Sequence, residues 1–186
     1  MASSLPRDEV LFHPGIVLVT GGARAGKSDF ALRLAEATQV RRRLFVATAV
    51  ACDRQMRQRI ARHRKARDGQ WATLEEPIRL PERLPKRYLA SGSCLLFDCL
   101  PTFITNLLLA ERSPAAVQAR VRDLLLVCRR PGVSSIFVTN EVGSGIVPEH
   151  PLGREFRDLL GTVNQQAAKA ADRMFLLVAG IPVRLK

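Results

Sequence analysis

The residues Gly21-Gly22-Ala23-Arg24-Ala25-Gly26-Lys27-Ser28 carry the most specific chemistry in this 186-residue sequence. They match G-x-x-x-x-G-K-[ST], directly after the apolar run Ile16-Val17-Leu18-Val19-Thr20 and directly before a segment with helical spacing. In that setting the glycine-rich turn and helix start direct backbone N–H groups toward phosphate oxygens. Lys27 reaches the β and γ phosphates, and Ser28 offers a hydroxyl to Mg²⁺. The plainer alternative is a glycine turn with a capping serine, which requires spacing and context to coincide by accident.

Asp98 closes the run Cys94-Leu95-Leu96-Phe97, where a phosphate-loop enzyme places the acid that holds magnesium through its hydration shell. It also suits the N-cap of a helix starting near Thr102, and the two roles are compatible. Ser28 and Asp98 are thus the expected metal contacts. Glu141 lies just past the run ending at Thr139, at the edge where open parallel sheets place ligands. A base, a second magnesium contact, and a loop acid paired with one of many arginines are all open to it.

The remaining candidate is His63, in a segment that also holds Arg54, Arg57, Arg59, Arg62, Arg64, Lys65 and Arg67. Met56, Ile60 and His63 fall at i, i+4 and i+7, which puts His63 on the packing side of a helix with Arg59 and Arg67 a turn away. One reading is a satisfied, half-buried histidine. The other is a nucleophile, because clustered cations disfavour the imidazolium and leave a neutral nitrogen able to attack phosphorus. His13 and His150 have no comparable company and are expected at the surface.

The elements that must hold these groups alternate. Apolar runs rich in β-branched residues at 16–20, 44–48, 94–97, 136–139 and 174–178 read as strands buried on both faces. Helical spacing marks 27–37, 53–67, 102–110, 115–129 and 152–171. The alternation predicts an α/β fold of P-loop (RecA-like) type, a mostly parallel sheet with helices on both faces. Trp71 to Glu75 reads as a further short strand, and Pro77 to Leu89 is too proline-rich for a long helix. Gly180 to Lys186 reads as a glycine turn into a closing strand, antiparallel at a sheet edge. Residues 1–13 read as an N-terminal tail and 14–186 as a single nucleotide-binding domain.

Composition narrows the class of protein. With 47% hydrophobic residues, the chain supports a real core. The N-terminus lacks the pattern of a secretory signal. The apolar stretch from Leu95 to Ala110 is broken by Asp98, Pro101 and Asn106, so no membrane span is expected and a cytoplasmic location is. Cys52, Cys94, Cys99 and Cys128 form no Cys-x-x-Cys pair and read as reduced, mostly buried thiols. A formal net charge of +12 favours anionic partners, but aromatic content of 5% and the lack of a stacking motif argue against a nucleic-acid binder.

Beyond the phosphate loop the chain carries, in this order, Ala47-Thr48-Ala49, Arg59-Ile60-x-x-His63, Trp71-x-Thr73-x-Glu75, Asn106-Leu107-Leu108, Thr139-Asn140-Glu141-Val142-Gly143 and Gly145-Ile146-Val147-Pro148, followed by Phe156-Arg157-Asp158, Gly161, Asn164-Gln165 and Ala171-Asp172. From about Ile16 onward the chain resembles the bifunctional adenosylcobinamide kinase/adenosylcobinamide-phosphate guanylyltransferases. The resemblance implies phosphorylation of adenosylcobinamide with ATP or GTP. GMP then passes from GTP to adenosylcobinamide phosphate through a guanylyl-histidine at His63, giving adenosylcobinamide-GDP. It also implies nucleotide contacts at Thr48, Ala49, Arg64, Lys65, Ala66, Arg67, Glu75 and Asp98, and a homotrimer. Ala25 stands where the family often has serine, and Asp68 where it often has proline. A simple P-loop small-molecule kinase without a covalent intermediate, and a nucleotide-binding scaffold without turnover, are the rival readings.

Overall fold

The structure, a computed structural model, describes residues 14–38, 40–50, 54, 57, 58, 61, 69–111 and 113–186. The expected tail, Cys52, most of the helix expected over 53–67, His63 and Arg64 to Arg67 lie outside these residues. Arg54, Arg57, Gln58 and Ala61, which are described, are helical and exposed.

Seven strands form one sheet: β1 Gly15–Gly21, β2 Arg42–Ala47, β3 Trp71–Glu75, β4 Ser93–Asp98, β5 Val133–Val138, β6 Arg173–Val178 and β7 Ile181–Arg184. Their order is β3-β2-β4-β5-β1-β6-β7, and every pairing is parallel except β6 with β7. The helices whose bounds lie among the described residues are α1 Lys27–Glu36, α2 Leu100–Glu111, α3 Pro114–Cys128 and α4 Pro151–Ala170.

The apolar runs are continuous because both faces of the central strands are covered. Ile16 and Leu18 of β1 join the core under α2, α3 and α4, while Val17 and Val19 join the core under α1. Trp71 to Glu75 is an edge strand, as its alternating burial requires. Between Pro77 and Leu89 the only helical element is a single 3₁₀ turn, Lys86–Leu89. The closing strand β7 returns through a two-residue turn, Ala179-Gly180, in which both φ angles are positive (49° and 86°), as the mirror-image hairpin turns require.

Helix ends differ by a residue or two from the sequence expectation. α2 begins at Leu100 and not Thr102, because the Cys99 carbonyl already accepts the Phe103 N–H. α3 starts with Pro114 in its first turn and a Ser113 hydroxyl that accepts the Ala116 N–H. His150 is exposed, as expected, and its ring Nδ1 accepts the Leu152 N–H to cap α4.

Candidate active site

One register row organises the carboxyl edge of the sheet. Glu75 pairs with Ala47, Ala47 with Asp98, Asp98 with Val138, and Val138 with Val19. Side chains in one row of a parallel sheet share a face, and Val19 and Val138 lie in the core under α1. Asp98 and Glu75 therefore belong to the face from which α1 springs. At about 4.8 Å per strand step, Asp98 sits roughly 10 Å from β1 and Glu75 roughly 19 Å. Asp98 is half-buried and Glu75 exposed.

The phosphate loop continues this edge from β1. Gly21 has φ +144°, and a Cβ there would stand 2.4 Å from the Leu177 carbonyl oxygen of β6, so only glycine lets the two strands leave side by side. Gly26 occupies the N-cap of α1 at φ 87° with no side-chain cap, which leaves the first N–H groups of α1 available to an anion. Gly22, Ala23 and Arg24 are exposed, while Ala25 is buried and its carbonyl accepts the Gly180 N–H from the hairpin turn. Lys27 is 8% exposed, and its ammonium donates to the Gly22 carbonyl inside the loop. Ser28 follows, half-buried.

Thr48 and Ala49 leave the edge one step beyond Ala47. The Thr48 hydroxyl donates to the Cys99 carbonyl (2.8 Å) and accepts the Cys99 N–H (3.0 Å), tying the ends of β2 and β4 together. From α2, the Asn106 amide donates to the carbonyls of Thr48 (2.8 Å) and Pro77 (3.2 Å), which fixes the exits of β2 and β3 to one another.

A second network lies across β1 and β5. The Thr20 hydroxyl donates to Glu141 Oε1 at 2.8 Å, and the Asn164 amide from α4 donates to the same oxygen at 3.1 Å. Asn164 also donates to the Asn140 carbonyl (2.9 Å) and accepts the Thr139 hydroxyl (2.6 Å). Thr20, Thr139 and Asn164 are buried, so each needs these partners to offset lost hydration. No arginine or lysine among the described residues pairs with Glu141.

The family model described as cobinamide kinase / cobinamide phosphate guanyltransferase matches residues 17–185, all of the sheet but the first two residues of β1, and not the phosphate loop alone. The chain belongs to this family. It is 40% identical over 184 residues to the bifunctional adenosylcobalamin biosynthesis protein CobU of Escherichia coli (strain K12), a match covering 92% of this chain and 99% of that protein. It is 42% identical over 184 residues to the protein of the same name from Salmonella typhimurium, with the same coverage. CobP of Pseudomonas aeruginosa matches at 42% over 171 residues, covering 91% of this chain and 96% of that one, so these relatives align with this chain almost end to end. Among solved structures, a prototypical ATPase from the type III secretion system of pathogenic bacteria superposes with a TM-score of 0.57 at 10% identity, covering 88% of this chain and 51% of that one. The assembled ATPase EscN from enteropathogenic E. coli gives 0.57 at 11% identity, covering 89% and 43%. The chain spans about half the length of these ATPases, and the likeness establishes the α/β P-loop fold alone.

In this cobinamide kinase/guanyltransferase the structure brings the phosphate loop, Thr48, Ala49, Glu75 and Asp98 to one edge of the sheet. Arg64 to Arg67 and His63 lie outside the described residues. Sequence reasoning missed the roles of Thr20, Asn106 and Asn164, although each asparagine left a signal. Asn164 interrupts the apolar stripe Leu160, Val163 and Ala167, and Asn106 that of Phe103, Leu107 and Leu108. A lone amide on a buried helical stripe needs a partner on the element it packs against.

Proposed function

We infer that this enzyme phosphorylates adenosylcobinamide and then transfers GMP from GTP to the resulting phosphate, giving adenosylcobinamide-GDP. The observation that carries the reading is the phosphate loop set at the carboxyl edge of a sheet that matches the family in all but the first two residues of β1. We read residues 14–186 as one nucleotide-binding domain, acting in the cytoplasm as a homotrimer, for which sedimentation should return three chain masses.

For the phosphorylation step, the loop amides and Lys27 hold the triphosphate of ATP or GTP, and catalysis is mainly positioning and charge neutralisation. For GMP transfer, His63 attacks the α-phosphorus of GTP and pyrophosphate leaves. The phosphate of adenosylcobinamide phosphate then displaces histidine from the adduct and takes the GMP. Thr48, Ala49, Glu75 and Arg64 to Arg67 are the proposed contacts to the guanine nucleotide.

Ser28 and Asp98 would hold Mg²⁺. A hydroxyl and a carboxylate are hard oxygen donors, and this ion characteristically takes one or two carboxylates alongside substrate phosphates and waters. When bound, it neutralises charge developing on the phosphate oxygens.

GTP labelled on the α-phosphate tests the reading: after denaturation without acid, label retained on His63 supports it, and His63→Ala abolishes GMP transfer while most phosphorylation persists. An active enzyme that never retains label would instead be a P-loop kinase of the simple kind.

A further inference from the structure

We propose that Glu141 is the general base of the phosphorylation step, accepting the proton of the substrate hydroxyl, with Thr20 and Asn164 as its positioning residues. This assignment rests on the kinase activity proposed above.

Three observations converge on it. The first is place. The Glu141 N–H donates to the Gly21 carbonyl at 3.3 Å, so the residue stands against the first glycine of the phosphate loop, on the strand-end loop next to β1. It is exposed, so an incoming hydroxyl can reach it.

The second is the chemistry of its partners. The chain carries 29 Lys and Arg against 17 Asp and Glu, and Glu76, Glu82, Glu111, Asp158 and Asp172 all lie in ion pairs with arginine. Among the described residues Glu141 has two neutral donors instead, a threonine hydroxyl and an asparagine amide. Neutral donors on one oxygen fix the direction of the carboxylate. Both donors bind Oε1, and among the described residues Oε2 accepts no hydrogen bond.

The third is the structural cost of the arrangement. Asn164 is 7% exposed in the middle of α4, and Thr139 and Thr20 are 0% and 1% exposed. An apolar residue at position 164 would continue the stripe of Leu160 and Val163 without a buried amide. What the asparagine adds is the orientation of the Asn140 carbonyl and the Glu141 carboxylate.

The step balances simply. The substrate hydroxyl oxygen forms a bond to the γ-phosphorus as the bond from that phosphorus to the β–γ bridging oxygen breaks. The electron pair of the broken bond leaves on the nucleoside diphosphate. The hydroxyl proton passes to Oε2 of Glu141 and from there to solvent.

The test is Glu141→Gln, whose amide oxygen can still accept from Thr20 and Asn164 but which has no basic carboxylate. Phosphorylation of adenosylcobinamide and GMP transfer to separately supplied adenosylcobinamide phosphate are measured side by side. Wild-type turnover in the same assays tests the functional reading itself, so the variant bears on Glu141 alone. The expected result is a fall of roughly 10²–10⁴-fold in kcat for phosphorylation, with KM values little changed and a much smaller effect on GMP transfer. Glu141→Asp, which keeps a carboxylate at shorter reach, should retain part of the kcat that glutamine loses. Asn164→Ala should add little once Glu141 is glutamine, because the two act through one interaction. Unchanged phosphorylation, equal loss of both activities, or a loss confined to the KM for nucleotide would overturn the proposal, the last by making Glu141 a nucleotide or metal contact.

Discussion

Asn106 on α2 and Asn164 on α4 enter the same face of the sheet from neighbouring helices, and each reaches the loops that leave the strands. Asn106 uses its amide on two backbone carbonyls, Thr48 and Pro77. Asn164 serves one carbonyl, that of Asn140, and gives its second N–H to the carboxylate of Glu141. The two halves of the edge are thus built with one device put to different ends. Around β2 and β3 it fixes the wall made by two strand exits, and around β1 and β5 it also aims a charged group.

The phosphate loop serves both halves in the proposed mechanism, so its loss should have the largest effect. Lys27→Ala should lower phosphorylation and GMP transfer together, each by roughly 10²–10³-fold, as loss of a preorganised donor to phosphate oxygens does. Steady-state rates of both reactions check this, and a loss in only one would mean that the halves do not share a cradle.

The asparagines themselves should separate next. Asn164→Ala leaves the buried Thr139 hydroxyl without its acceptor and should cost about 1–3 kcal/mol in urea unfolding. Its kinetic effect should fall mainly on kcat for phosphorylation. Asn106→Ala should act mainly on the KM for GTP in GMP transfer, since it loosens the Thr48 and Pro77 exits. Identical kinetic profiles in the two variants would erase the distinction between placing a wall and aiming a charge.

The smallest effect concerns core thiols far from this chemistry. Burial pushes Cys94 and Cys128 up to about 12 from an ordinary 9.0. Below about pH 9 both thiols are protonated whether the chain is folded or unfolded, so they add no pH dependence. Between there and about 12 the unfolded chain releases protons that the folded chain keeps, and stability should decline as pH rises. Urea midpoints across this range, compared with those of Cys94→Ala and Cys128→Ala, check the sign.

What could be read from sequence follows from how far apart the cooperating residues lie. The phosphate loop was legible because its eight residues are contiguous and its geometry comes from local backbone. Asp98 was legible as the last residue of an apolar run. The row joining Glu75, Asp98 and Val19 was not, because register is a property of paired strands and appears in none of them singly. Glu141 left several roles open because its partners stand 121 and 23 residues away. Once Thr20 and Asn164 are seen on one oxygen, the arginine-paired alternative has no support among the described residues. The start of α2 lies two residues early because the Cys99 carbonyl, which also accepts the Thr48 hydroxyl from 51 positions away, takes the Phe103 N–H.

The placement of β1 has a consequence for how the chain is made. Its neighbours in the sheet are β5 and β6, which begin at Val133 and Arg173, and its Ile16 N–H donates to the carboxylate of Asp172. On the ribosome, the glycine loop therefore emerges long before anything that can flank it. At about 5–20 residues per second, β1 waits on the order of ten seconds with both edges unpaired. During that interval a strand buried at six of its seven positions in the finished fold has no partner on either edge, which exposes it to pairing with other chains.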